Sequence, residues 1–135
     1  VILVRQPNVA PPLDPRALAG DWSYYLHAKL AGDPPRRDTG FVSWDAETAL
    51  TGGPLTTLDG VRAVDGGWHY LNATAHTMSQ HVSVAGIDLF QSGIVDPSGR
   101  FIVGWTVRAP SAPDVAEPLE NRPRYGSMLL MLRPN

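Results

Sequence analysis

The chain has no cysteine, which excludes a disulfide framework, a thiolate metal site and a cysteine nucleophile. It has almost no charge imbalance: 11 basic against 13 acidic side chains leave −2, no electrostatic footprint for nucleic acid or an anionic membrane. No apolar run approaches the ~20 residues of a membrane span, and the opening Val1-Ile2-Leu3-Val4-Arg5 is too short for a signal peptide. Lysine is nearly missing as well. Lys29 stands against ten arginines, and with abundant Ala, Gly, Pro and Asp this is the residue usage of a high-GC bacterium. The expected setting is the bacterial cytoplasm, and the absence of an initiator Met leaves room for a trimmed leader.

Catalytic signatures are equally scarce. There is no Gly-x-Ser-x-Gly elbow for a serine hydrolase. No helix follows Gly52-Gly53 or Gly66-Gly67, so neither pair cradles phosphate. Asp14, Asp33, Asp38, Asp59, Asp65 and Asp96 sit beside Gly or Pro or in turn clusters, where Asp serves local hydrogen bonding, and no catalytic carboxylate pair emerges. Asn72-Ala73-Thr74 has the form of a glycosylation sequon but falls in mid-strand. His69, His76 and His81 lack the His-x-His spacing of a cupin metal site, and neither a metal nor a cofactor is expected.

What is present is β-structure. The 135 residues fit one domain, which at this size buries about 68–70% of its unfolded surface without staples. A Pro-rich leader over residues 6–19 ends in a single helical turn with Asp14 as N-cap and Pro15 at N1. Residues 22–30 alternate Trp22, Tyr24, Leu26, Ala28 and Leu30 against Ser23, Tyr25, His27 and Lys29, a period-two strand with one apolar face. A turn cluster over 32–38 leads to a partner strand at 39–44, and 45–65 supplies loops with two short strands. Residues 68–78, 81–90 and 101–108 are consecutive strands of a meander, with a turn near Ser79-Gln80. Residues 124–133 close the fold. The loop at 109–123 carries four prolines and is expected to act as a lid.

The count predicts an all-β protein, a single antiparallel up-and-down barrel of about eight strands, with a β-sandwich as the alternative. A barrel with a partly polar lumen accounts for the polar residues crowded between His69 and His81 better than a sandwich does.

Gly20-Asp21-Trp22 resembles the Gly-x-Trp opening of lipocalin-type barrels. Residues 25–40, with Gly32 in a turn and Gly40 restarting a strand, followed by His81-Val82-Ser83-Val84-Ala85-Gly86-Ile87, resemble the spacing in the allene oxide cyclase and spirotetronate cyclase barrels. That resemblance implies an eight-stranded barrel that holds an apolar polyene or epoxide, folds it into a reactive shape and lets it cyclise without a cofactor.

The candidate cavity wall is the run of alternate positions Trp68, Tyr70, Asn72, Thr74, His76 and Met78, with Trp22, Tyr24, Trp105 and Met128 contributed by other strands. Core packing is the ordinary role for aromatics in small β-folds, and solvation or a single hydrogen bond is the ordinary role for such histidines. The mixture of ring, thioether and polar groups on one face points instead to a ligand. Tyr70 or His76 is expected to donate the orienting hydrogen bond, with His76 as proton donor or acceptor near neutral pH. The expected function is a cofactor-independent cyclase or isomerase acting on a flexible apolar natural-product intermediate. The alternatives are a calycin-like carrier of a small apolar molecule without chemistry, and a structural β-sandwich interaction protein. A homodimer is expected, pairing through the apolar edge at 1–5.

Overall fold

A computed structural model describes residues 11–30, 35–57, 60–108 and 125–134. The expected edge strand at 1–5, the start of the Pro-rich leader and the expected lid at 109–123 lie outside these residues. Nine antiparallel strands form one sheet: β1 (Gly20–Leu30), β2 (Arg36–Trp44), β3 (Leu50–Thr57), β4 (Gly60–Arg62), β5 (Val64–Asn72), β6 (Thr77–Val84), β7 (Ile87–Val95), β8 (Phe101–Arg108) and β9 (Tyr125–Leu132). Their order is β4-β3-β2-β1-β9-β8-β7-β6-β5. The sheet curls until β3 meets β5, where the His69 N–H donates to the Thr48 carbonyl at 2.7 Å and Ala49 bridges Trp68. The result is a nearly closed up-and-down barrel. The ninth strand beyond the expected eight is β4, three exposed residues paired with the end of β3. No helix among the described residues is long and apolar enough to cross a membrane.

Alternation on β1 sends Trp22, Tyr24, Leu26 and Ala28 inward, where all four are fully buried, and leaves Tyr25 and His27 outside. Val42 and Trp44 of β2, Met78 and Val82 of β6, Leu89 of β7, Ile102 of β8 and Leu129 and Met131 of β9 meet them in one core. Each such side chain contributes roughly 1.5–3 kcal/mol by leaving water.

The expected helical turn is present as a 3₁₀ turn, Pro15–Leu18, and it plugs one end of the barrel. The Asp14 carboxylate accepts from the Arg16 N–H at 3.0 Å, and Leu18 is buried. Five hydrogen bonds and one cation–π contact fix the plug. The Trp22 indole N–H donates to the Leu18 carbonyl at 3.0 Å, the Leu13 N–H to the Ala73 carbonyl at 3.1 Å, and His76 Nε2 to the Pro11 carbonyl at 2.9 Å. Arg133 lies over the Trp22 ring at 5.6 Å, its guanidinium donating to the carbonyls of Ala17 and Ala19.

The first two hairpins of the meander fall elsewhere than expected. The β5–β6 turn occupies 73–76, with the Asn72 side chain accepting from the Ala75 N–H at 2.9 Å and His76 at φ +56°. The β6–β7 turn is Ala85-Gly86, both at positive φ as a type I′ hairpin requires, and Ser79-Gln80 lies mid-strand in β6. The four-residue turn changes which parity faces inward. On β5 it is His69 and Leu71, and on β6 Met78, Gln80, Val82 and Val84.

A polar relay crosses the interior. The Trp44 indole N–H donates to Gln80 Oε1 at 3.1 Å, and Gln80 Nε2 donates to Gln91 Oε1 at 2.6 Å. Gln91 Nε2 in turn donates to the Tyr24 hydroxyl and, at 3.0 Å, to Thr106 Oγ1. Every member is buried, so each bond replaces water that has been lost, and the relay accounts for the inward-facing Gln80 of β6 and Gln91 of β7. Burial pushes the Tyr24 phenol well above its ordinary range, so it stays protonated.

Candidate functional site

The seam where the barrel closes carries a small pocket. β2 ends at Trp44, the exposed loop over 45–49 follows, and β5 runs past it with His69, Tyr70 and Leu71. The pocket has a volume of about 190 Å³ and is lined by Leu18 and Pro15 of the plug, by Trp44, Glu47 and Thr48, and by those three residues of β5. Gly67 permits this arrangement. Its φ is +156°, and a Cβ there would stand 2.0 Å from the His81 carbonyl oxygen, so no other residue brings β5 this close to β6 just before the site.

His69 lies at the centre. Its ring stacks on Trp44 with centroids 4.6 Å apart and planes 8° from parallel, and its side chain is 5% exposed. Neither ring nitrogen has a hydrogen-bond partner; Nε2 lies 3.5 Å from Asp45 Oδ1, beyond a well-formed bond. Burial holds the imidazole below its ordinary titration range, and the neighbouring Asp45 carboxylate offsets only part of that effect. At neutral pH His69 is therefore an uncharged base. Desolvation, the largest single influence on Asp45, raises its carboxyl, but the backbone N–H groups of Glu47 and Ala49, each at 2.9 Å, and His69 together outweigh it and hold the carboxyl below the usual range. An anion is thus fixed beside a buried neutral imidazole, an arrangement suited to a histidine that gains a proton transiently.

The expected wall does not exist as one face. Trp68 and Tyr70, 42% and 61% exposed, point outward with Asn72, and Thr74 is exposed in the 73–76 turn. His76 is buried, but in that turn, where its ring holds the plug. Met78, Trp22 and Tyr24 do face inward, packed in the core rather than around an opening. Trp105 and Met128, 51% and 42% exposed, lie on the outer surface. The physical reason is the turn at 73–76: it separates Trp68 to Asn72 from Met78, which one uninterrupted strand would have aligned. Of the ten expected site residues only Tyr70 lines the seam pocket, beside two residues the alternation argument left out, His69 and Trp44. The signal for His69 was Asn72, whose side chain starts the turn that ends its strand.

Among the described residues no three His, Asp or Glu side chains gather to hold a metal ion. No protein-family model, no curated protein and no solved structure matches the chain.

Proposed function

We propose that the protein is a cofactor-independent isomerase or cyclase of apolar, carbonyl-bearing molecules, with the reacting group held in the seam pocket. The observation that carries this reading is His69: a buried imidazole without a hydrogen-bond partner, kept neutral by burial, at a pocket rather than in the packed core. The neutral ring takes a proton from the carbon next to the substrate carbonyl, Asp45 stabilises the imidazolium that forms, and the same proton returns at a second carbon. Such general-base work contributes about 10²–10⁴-fold in rate. The Tyr70 hydroxyl, exposed beside the pocket, is the donor available to the developing oxyanion. Leu18, Leu71 and Trp44 supply the apolar wall that keeps water away from it. A substrate enters the seam pocket that His69 lines, with Asp45 left in place beside Nε2. The volume equals that of about six waters, so the pocket takes one ring or the reactive end of a longer chain.

A second reading, a barrel that binds a partner without chemistry, is favoured by the filled interior: the inward side chains of β1 are fully buried. Hydrogen–deuterium exchange separates the two. Incubation of 2-cyclohexenone in D₂O with the protein is expected to label the carbon beside the carbonyl faster than buffer does, and His69→Gln is expected to remove about 10²-fold or more of that excess. Exchange no faster than buffer, with no shift of the His69 ring resonances on adding the enone, overturns the catalytic reading.

A further inference from the structure

The loop at the seam is acidic and held in one shape. Between Trp44 of β2 and Leu50 of β3 it carries two carboxylates, Asp45 and Glu47, and no lysine or arginine. Asp45 Oδ1 accepts the N–H groups of Glu47 and Ala49 at 2.9 Å, the Asp45 N–H donates to the Ala49 carbonyl at 3.1 Å, and the Thr48 carbonyl accepts from the His69 N–H at 2.7 Å. The two acids differ in what they face. Asp45 is committed to those N–H groups and to the His69 ring, whereas Glu47 lines the seam pocket and, among the described residues, enters no ion pair. Two acids alone define no site. The second observation is His69, 5% exposed, which lines the same pocket with both ring nitrogens lacking a hydrogen-bond partner. Buried polar atoms are ordinarily paired, so an orphaned imidazole at a pocket marks a place where a ligand's polar group is received.

The charge of the wall sets the charge of that ligand. Among the described residues no lysine or arginine lines the pocket, and with the imidazole neutral Glu47 is its one charged side chain, with Asp45 adding a second negative charge beside it. A metal ion does not fit, because among the described residues no three His, Asp or Glu side chains gather to hold one. An organic cation does. We infer that the seam pocket takes a carbonyl compound that also bears a protonated amine, its apolar body against Trp44 and Leu71 and its ammonium group on the Glu47 carboxylate. This rests on the reading of the seam pocket as the substrate site. An alkyl ammonium keeps its charge at neutral pH, as lysine does. It also suits the chemistry: negative charge builds on the substrate oxygen as the proton leaves, and an unpaired carboxylate in the same pocket opposes that build-up. The ammonium group cancels the opposition and leaves Asp45 to face the imidazolium.

Three ligands built on one ring test the sign: cyclohexylamine, cyclohexanol and cyclohexanecarboxylate, titrated at neutral pH and low salt and followed by the His69 ring and Trp44 indole resonances. Cyclohexylamine is expected to bind about 5-fold more tightly than cyclohexanol, the upper range for an exposed ion pair, and the carboxylate more weakly than the alcohol. Glu47→Gln is expected to bring the amine to the affinity of the alcohol, and Glu47→Lys to make the carboxylate the tightest of the three. Since Glu47 is exposed, both variants are expected to keep the far-UV spectrum and Tm of the wild type. Equal binding of amine and alcohol to the wild type, or binding of none of the three, overturns the inference, and so does a preference for the amine that survives Glu47→Gln. Deuterium exchange into 2-cyclohexenone is read in parallel. Exchange without an amine preference removes this inference and leaves the catalytic reading standing, whereas an amine preference without exchange supports the ammonium site and removes the catalysis.

Discussion

Trp44 and His69 lie flat against one another, 4.6 Å between ring centroids, and each also holds a partner elsewhere. The Trp44 indole N–H donates to Gln80, while the His69 main-chain N–H donates to the Thr48 carbonyl across the seam. The stack therefore joins three things: closure of the barrel, the interior polar relay and the candidate base. Substitutions there are expected to separate these roles.

Trp44→Phe keeps a ring for His69 but leaves Gln80 Oε1 buried without its donor. The expected loss is about 1–3 kcal/mol of folding stability, read from the midpoint of urea unfolding. Trp44→Ala also opens a cavity in the core and is expected to lose about 3–5 kcal/mol.

Gln91→Leu removes the centre of the relay, leaving Gln80 Nε2, Thr106 and Tyr24 short of a partner in a buried site. A loss of at least about 2 kcal/mol is expected, because unsatisfied buried groups cost more than a bond contributes when made. Paired replacement of Gln80 and Gln91 by apolar residues is expected to cost less than the two single losses added together, which a double-mutant cycle reads directly.

The pH dependence has a definite sign. His69 titrates below 6.5 in the folded chain and near 6.5 when unfolded, so between the two values the unfolded chain binds more protons. Stability is therefore complete above pH 6.5 and falls as the pH drops below it. Urea unfolding at pH 7.5 and 5.5 is expected to show that loss in the wild type and a smaller one in His69→Gln. A wild type that becomes more stable on acidification across this window contradicts the burial of a neutral His69.

Asp96 acts in a lower window. Burial works to raise its carboxyl, but the Ser98 side chain and the N–H groups of Phe101, Arg100 and Ser98 outweigh it, and the carboxyl is held below its ordinary 3.8. Its contribution is present above that value and lost as the pH falls through the lower folded one. Asp96→Asn, which weakens several charge-assisted bonds in the β7–β8 turn, is expected to cost about 1.5–3 kcal/mol at neutral pH by thermal or urea unfolding.

The sequence makes the barrel legible and leaves the face of its central hairpin obscure, for a physical reason. Period-two alternation from Trp22 to Ala28 identifies a half-buried strand whatever its neighbours do, whereas of the polar residues crowded between His69 and His81 only His69, His76 and Gln80 are buried, and the others are exposed or half-buried. Strand parity past Asn72, by contrast, depends on where the chain turns. The turn at 73–76 contains no Gly or Pro and is held by one side-chain bond from Asn72, while the next turn puts a non-glycine, Ala85, at positive φ. Neither is conspicuous in the sequence. Placing the turn at Ser79-Gln80 carries Trp68 and Tyr70 inward and His69 outward, the reverse of what the fold does. His76 was legible as unusual, but its contact with Pro11, 65 residues away, depends on the plug, which alternation does not reveal.

The most direct measurement is a ¹⁵N–¹H spectrum of the histidine and tryptophan side chains during titration with 2-cyclohexenone at neutral pH. If the seam pocket holds the reacting group, the His69 ring nitrogens and the Trp44 indole N–H shift together and saturate, with His69 in its neutral form at the start. Saturable binding that leaves both unmoved, or a His69 ring already protonated at neutral pH, contradicts the account.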